Sequence, residues 1–153
     1  MKTKMTLALA MILSASNHVS YAENSKRIVT VGGAATEIVF ALGSGDAVVA
    51  TDLSSLYPPE ARELPMVGYV RNISPEGVVS MEPDLVIATG AFGPPTAREM
   101  IERLKVETIW LPKLLSADDL RESIQTIGQQ LGKSDLGETI IERSGILNVG
   151  IEG

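Results

Sequence analysis

The apolar positions of this chain fall in short blocks separated by glycine, proline and serine, and the spacing within the blocks switches between two kinds. Residues 27–31 form a β-branched run closed by Gly32 and Gly33, which predicts a strand and a tight turn. Residues 35–42 carry Ile38, Val39 and Leu42 at helical spacing, with Gly43 as the stop. A second strand is predicted at 47–50 and a polar loop at 51–56, ended by Tyr57, Pro58 and Pro59. One helical turn at 59–63 and a short extended piece at 65–69 follow. Ser74, Pro75 and Glu76 make a helix start: a side-chain cap, a proline in the first turn and a negative charge at the positive end of the dipole. That helix should end at Met81, before Pro83.

The strongest strand signal is the near-continuous apolar run at 84–89, as expected of a strand covered on both faces. Beyond it the pattern predicts a loop at 90–95, a helix at 96–105 and a strand at 107–111 that contains Trp110 as a core residue. Ser116 caps a helix over 117–131 with Leu120, Ile124, Ile127 and Leu131 on one stripe, Gly132 breaks it, and another helix is predicted at 134–143. Strands alternating with helices predict an α/β fold with a mainly parallel sheet of four strands. In such sheets ligands bind beyond the carboxyl ends of the strands. Here those ends are Gly32 to Ala34, residues 51–57, residues 90–95 and residues 112–115, with 69–72 expected along the same rim.

The first segment has a different character. Lys2 and Lys4 precede an apolar run over 5–13, and Ser20 and Ala22 are the small residues a signal peptidase reads. Residues 1–22 therefore read as a cleaved signal peptide, which directs export; the run is about half the ~20 residues a spanning helix needs. Cleavage removes His18, the one histidine, and no cysteine exists anywhere. The mature chain thus lacks the groups for a Ser-His-Asp triad, a histidine or thiolate zinc site, or a disulfide. A formal charge of -6 with no dense basic run speaks against nucleic acid. No other stretch is long and apolar enough for stable membrane insertion. Gly32 and Gly33 precede a helix, as in phosphate-cradling turns. However, neither G-x-G-x-x-G nor G-K-[ST] is present, so the pair reads as a tight turn.

At this point the residues carry a resemblance. The opening RIVTVGGAATEIVFALG at 27–43, the YPP at 57–59 and the PDLVIA at 83–88 resemble the landmarks of helical-backbone (class III) periplasmic substrate-binding proteins, whose ligands are haem, siderophores or cobalamin. The stretch LPMVGYVRNISPEG at 64–77 resembles the haem-binding branch. The likeness covers roughly residues 26–140. It implies a small Rossmann-like lobe at 23–115, a mainly parallel sheet flanked by helices, and at 116–153 the start of an inter-lobe helix. Members have two lobes. The second is missing, and the glycine-containing end at 145–153 does not resemble the expected continuation, so a truncation, a frameshift or a fragment is implied.

The resemblance also implies roles. Tyr69 corresponds to the tyrosine that ligates ferric haem iron; phenolate is a hard donor suited to Fe(III). A free phenol ionises near pH ~10, so a phenolate at pH 7 costs about 4 kcal/mol, which the iron charge must largely supply. Arg71 would stabilise that phenolate or pair with a propionate, lying on the same side if the segment is extended. Taken alone, Tyr69 reads as a half-buried aromatic with its hydroxyl at the surface. Tyr57 is the rival ligand or a rim residue packing on the porphyrin. Phe92, beside Gly90 in the 90–95 loop, is either an apolar wall for the macrocycle or a loop anchor. Glu76 would dock to an arginine of an inner-membrane ABC permease; otherwise it is a favourable helix-dipole charge.

The expected function is haem capture and delivery to the importer, with haem as transported ligand. One lobe covers about one face of the haem, and the stripe of the 117–131 helix lacks a partner, so impaired affinity and a dimer through that helix are expected. The alternatives are a ferric siderophore or cobalamin as ligand, an inactive fragment, or a small α/β enzyme with Asp52 and Glu37 as acid and base. The last is disfavoured because the mature chain has no His or Cys and no paired carboxylates sit together on the expected rim, and Glu37 reads as a helix-face charge.

Overall fold

A computed structural model of the chain describes residues 26–145. The expected signal peptide, with His18 and the cleavage point after Ala22, lies outside the described residues, as do the last eight positions, 146–153. The sheet has four parallel strands: β1 (Ile28–Val31), β2 (Val48–Ala50), β5 (Leu85–Ala88) and β6 (Glu107–Trp110), in the order β2-β1-β5-β6. A separate antiparallel hairpin consists of β3 (Gly68–Tyr69) and β4 (Asn72–Ile73). The helices are α1 (Gly33–Ala41), α2 (Pro75–Ser80), α3 (Pro95–Arg103), α4 (Ala117–Gln130) and α5 (Ser134–Ser144).

The period of two along the strands sorts the core into two layers. Ile28, Leu85 and Ile87 face one side, where α1 supplies Ala35, Ile38, Val39 and Leu42, and α4 and α5 supply Ile124, Ile127 and Ile141. Val29, Val31, Val86 and Ala88 face the other side, where they meet Val67, Val70 and Ile73 of the hairpin region, Val78 of α2 and Ile101 of α3. β1 and β5 are buried at every position. That is why their sequences read as unbroken apolar runs. Burying each such Val, Leu or Ile is worth about 1.5–3 kcal/mol.

One expectation changes. The α4 stripe is not left open: Ile124 and Ile127 are buried, Leu120 and Leu131 are half-buried, and α5 lies alongside with Ile141 inside the same cluster. The ground for a dimer through an exposed helix therefore falls away. Trp110 lies against the second core layer, as expected, and is half-buried on β6, the edge strand among the described residues. The α4 N-terminus matches its prediction in detail. Ser116 Oγ accepts from Asp119 N–H at 3.2 Å, and the Asp119 carboxylate accepts from Ser116 N–H at 2.8 Å, a reciprocal capping box.

Candidate ligand-binding rim

All four sheet strands point the same way, so the segments that leave their carboxyl ends gather at one pole. The turn after β1 contains Gly32 at φ +99°, a conformation that suits glycine. An ideal Cβ there would lie 2.5 Å from Thr89 Oγ1, so glycine also permits the close approach of the β5 exit. The loop after β2 is tied to this turn by Asp52. This carboxylate is fully buried and accepts from Gly32 N–H at 2.8 Å, Ser54 N–H at 3.0 Å, Ser54 Oγ at 2.7 Å and Ser55 Oγ at 2.8 Å. A hydroxyl chain continues from Ser55 to Thr36 and on to Thr30, each link 2.7 Å. Asp52 is thus a structural anchor with its acceptor positions occupied, while Glu37 is exposed on α1; they form no acid–base pair.

The hairpin is fastened to this pole on two sides. Leu53 N–H donates to Gly68 C=O at 2.8 Å, and Val67 N–H donates to Thr51 C=O at 2.9 Å. On the other side Gly93 N–H donates to Val70 C=O at 2.9 Å, and Ile73 N–H donates to Gly93 C=O at 2.9 Å. The 65–69 segment is therefore not a simple extended piece: Tyr69 pairs across a two-residue turn with Asn72, Val70 tucks inward and Arg71 sits outward at the tip. Gly68 adopts φ +120°, and an ideal Cβ would stand 2.8 Å from Asn72 C=O oxygen.

This hairpin changes the surroundings expected of Tyr69 and Arg71. Tyr69 is 46% exposed. Among the described residues its hydroxyl has no hydrogen-bond partner, and neither has the Arg71 guanidinium; the two are not bonded to each other. Phe92 is half-buried and meets Trp110 edge to face, with ring centroids 5.0 Å apart. Gly90 is exposed at the β5 exit, where a Cβ would meet Lys113 N at 2.8 Å; its lack of a side chain lets the β5 and β6 loops close on each other.

Tyr57 is placed elsewhere. It is 63% exposed and lines an open groove of about 710 Å³ with Glu37 and Phe40 of α1, Val48 and Leu64; Tyr69, Arg71 and Phe92 do not line it. Glu76 is exposed in the first turn of α2, where Ser74 Oγ donates to it at 3.3 Å. It borders an apolar groove formed with Val79, Met100 and Leu104. Sequence reasoning missed Arg98, whose guanidinium carbon lies 4.1 Å from the Trp110 ring centroid. An arginine in an amphipathic helix carries no signal of such stacking.

Residues 28–144 match the family model described as periplasmic binding protein. The chain belongs to this family. Its members bind ligands rather than transform them, and the four-stranded α/β lobe matches their N-terminal lobe. The periplasmic haem-binding protein RhuT from Roseiflexus sp. RS-1, in apo form, is 41% identical, with a TM-score of 0.71 over 75% of this chain and 44% of that one. The periplasmic haem-binding protein BhuT, solved with two haems, is 35% identical, with a TM-score of 0.73 over 77% of this chain and 46% of that one. The vitamin B12-binding protein of Vibrio cholerae serotype O1 is 32% identical over 114 residues, which are 74% of this chain and 41% of that protein. The chain spans less than half the length of these relatives.

Proposed function

We propose that this chain is the N-terminal lobe of an extracytoplasmic binding protein that captures haem and passes it to an ABC importer, with Tyr69 as the iron ligand. The observation that carries this reading is the setting of Tyr69: exposed, with its hydroxyl unpartnered among the described residues, and borne on a hairpin fastened to the β2 and β5 exit loops. A phenol already spent in a protein hydrogen bond would have to give that bond up before meeting iron. Arg71 at the hairpin tip supplies a guanidinium for a propionate or for the developing phenolate. Phe92, beside Trp110, offers apolar surface to the macrocycle, and Gly90 keeps the adjoining loop low. Tyr57 lines a separate groove and is not the iron ligand in this reading. Glu76, exposed at the start of α2, is the docking charge for a basic residue of the permease. The expected inter-lobe segment, 116–153, opens with α4, which belongs to the core of this lobe, so a passage to a second lobe covering the other haem face would start no earlier than α5.

The likeness to haem-binding structures at 35% and 41% identity supports this choice of ligand. The likeness to a vitamin B12-binding protein at 32% identity favours a corrinoid as the second reading. Equilibrium titrations separate them. Ferric haem should give a Soret shift and a charge-transfer band toward the red, both lost in Tyr69→Phe. Saturable binding of cyanocobalamin without any haem spectrum would replace the first reading by the second.

A further inference from the structure

Arg98 lies in the first turn of α3, close behind the β5 exit loop, and its side chain is held twice. Nε donates to Glu102 Oε1 at 3.0 Å, and the guanidinium carbon stacks 4.1 Å from the Trp110 ring centroid. Trp110 is itself braced by Phe92. The two terminal nitrogens of Arg98 have no hydrogen-bond partner among the described residues. A guanidinium gripped by its Nε edge and by one face keeps its outer pair of amino groups as an oriented fork, the geometry that receives a carboxylate in two parallel bonds. The stacked arrangement also lowers the rotamer freedom that a carboxylate would otherwise have to quench.

Backbone bonds connect this cluster to the proposed iron ligand. Phe92 precedes Gly93, and Gly93 is bonded to both Val70 and Ile73 of the hairpin that carries Tyr69 and Arg71. We propose that Arg98 is a second carboxylate-binding residue of the rim. It takes one propionate of a ferric porphyrin while Trp110 and Phe92 orient it, and Arg71 serves the other. The inference rests on the haem reading of Tyr69. Its chemistry is that of two guanidinium forks for the two carboxylates of one ligand, in a chain whose net charge of -6 gives no general attraction for an anion.

The test titrates ferric haem and ferric haem dimethyl ester into the full chain and into its Arg98→Ala, Arg98→Lys and Tyr69→Phe variants. Arg98→Ala should raise the haem Kd about tenfold, the scale of one lost charge-assisted contact. The ferric spectrum of the bound state should be unchanged, and the Kd for the ester should match that of the unsubstituted chain. Arg98→Lys should fall between, since it keeps the charge and loses the fork. A haem Kd for Arg98→Ala within twofold of the unsubstituted chain overturns the proposal. So does an equal loss for haem and ester, which would mark a structural role. A Tyr69→Phe variant with an unaltered haem spectrum would instead remove the iron ligand while leaving the Arg98 comparison decisive. No haem binding by the unsubstituted chain overturns both.

Discussion

Asp52 accepts the Gly32 backbone N–H at 2.8 Å, joining the end of β1 to the loop that leaves β2. This buried carboxylate is held by four neutral donors among the described residues, and removing it takes the partner from the buried Gly32 N–H. Asp52→Ala should cost about 2–4 kcal/mol, read as a shift in the urea midpoint. A loss below ~1 kcal/mol would show that the network is not holding the pole.

Gly32→Ala tests the same junction from the other side. The positive φ and the 2.5 Å approach of Thr89 Oγ1 both oppose a Cβ. The expected destabilisation is about 2 kcal/mol or more. Pairing it with Thr89→Ala should restore part of that, and a double-mutant cycle in denaturant measures the coupling.

Tyr69→Phe should leave stability within about 0.5 kcal/mol, because the residue is half-exposed and its hydroxyl makes no hydrogen bond among the described residues. The haem spectrum should vanish at the same time. A variant that loses both fold and spectrum would mark a structural tyrosine.

At α4 the expected pH dependence follows from the capping box. The Leu115 N–H, then the Ser116 hydroxyl and N–H, hold the Asp119 carboxyl below the ordinary aspartate value of 3.8. A depressed folded-state value means that the contribution is complete above pH 3.8 and is lost as pH falls through the folded value. Thermal melts of the chain and of Asp119→Asn should therefore differ at neutral pH and converge in acid. Ser116→Ala should cost about 0.5–2 kcal/mol at neutral pH.

Ile127→Ala should cost about 2–5 kcal/mol, since the side chain is fully buried where α4 meets the sheet and α1. Calorimetry should show one cooperative transition moved down in temperature. A separate early transition would mean that α4 and α5 unfold apart from the lobe.

Much of this fold was legible because long-period patterns survive in a single sequence. β5 declared itself by four consecutive apolar residues, and α4 by its cap and stripe. The hairpin was not legible as a hairpin: two strands of two residues have no period to read, and their placement depends on bonds to Leu53 and Gly93, distant along the chain. Trp110 was rightly placed in a strand and against the core, but strand hydrophobicity does not tell an edge from a centre, so its partial exposure was not legible. Tyr69 was found by likeness alone; nothing in its spacing separates a ligand from an ordinary surface aromatic. Asp52 looked like a potential acid until its four donors were in view.

The double fastening of the hairpin has a mechanical consequence. A metal drawing on the phenol oxygen would pull through Leu53 on one flank and Gly93 on the other, and so load the sheet rather than stretch a slack tether. Under the haem proposal, a ligand seated there would meet an already ordered hairpin, so binding would cost little freezing of loose chain.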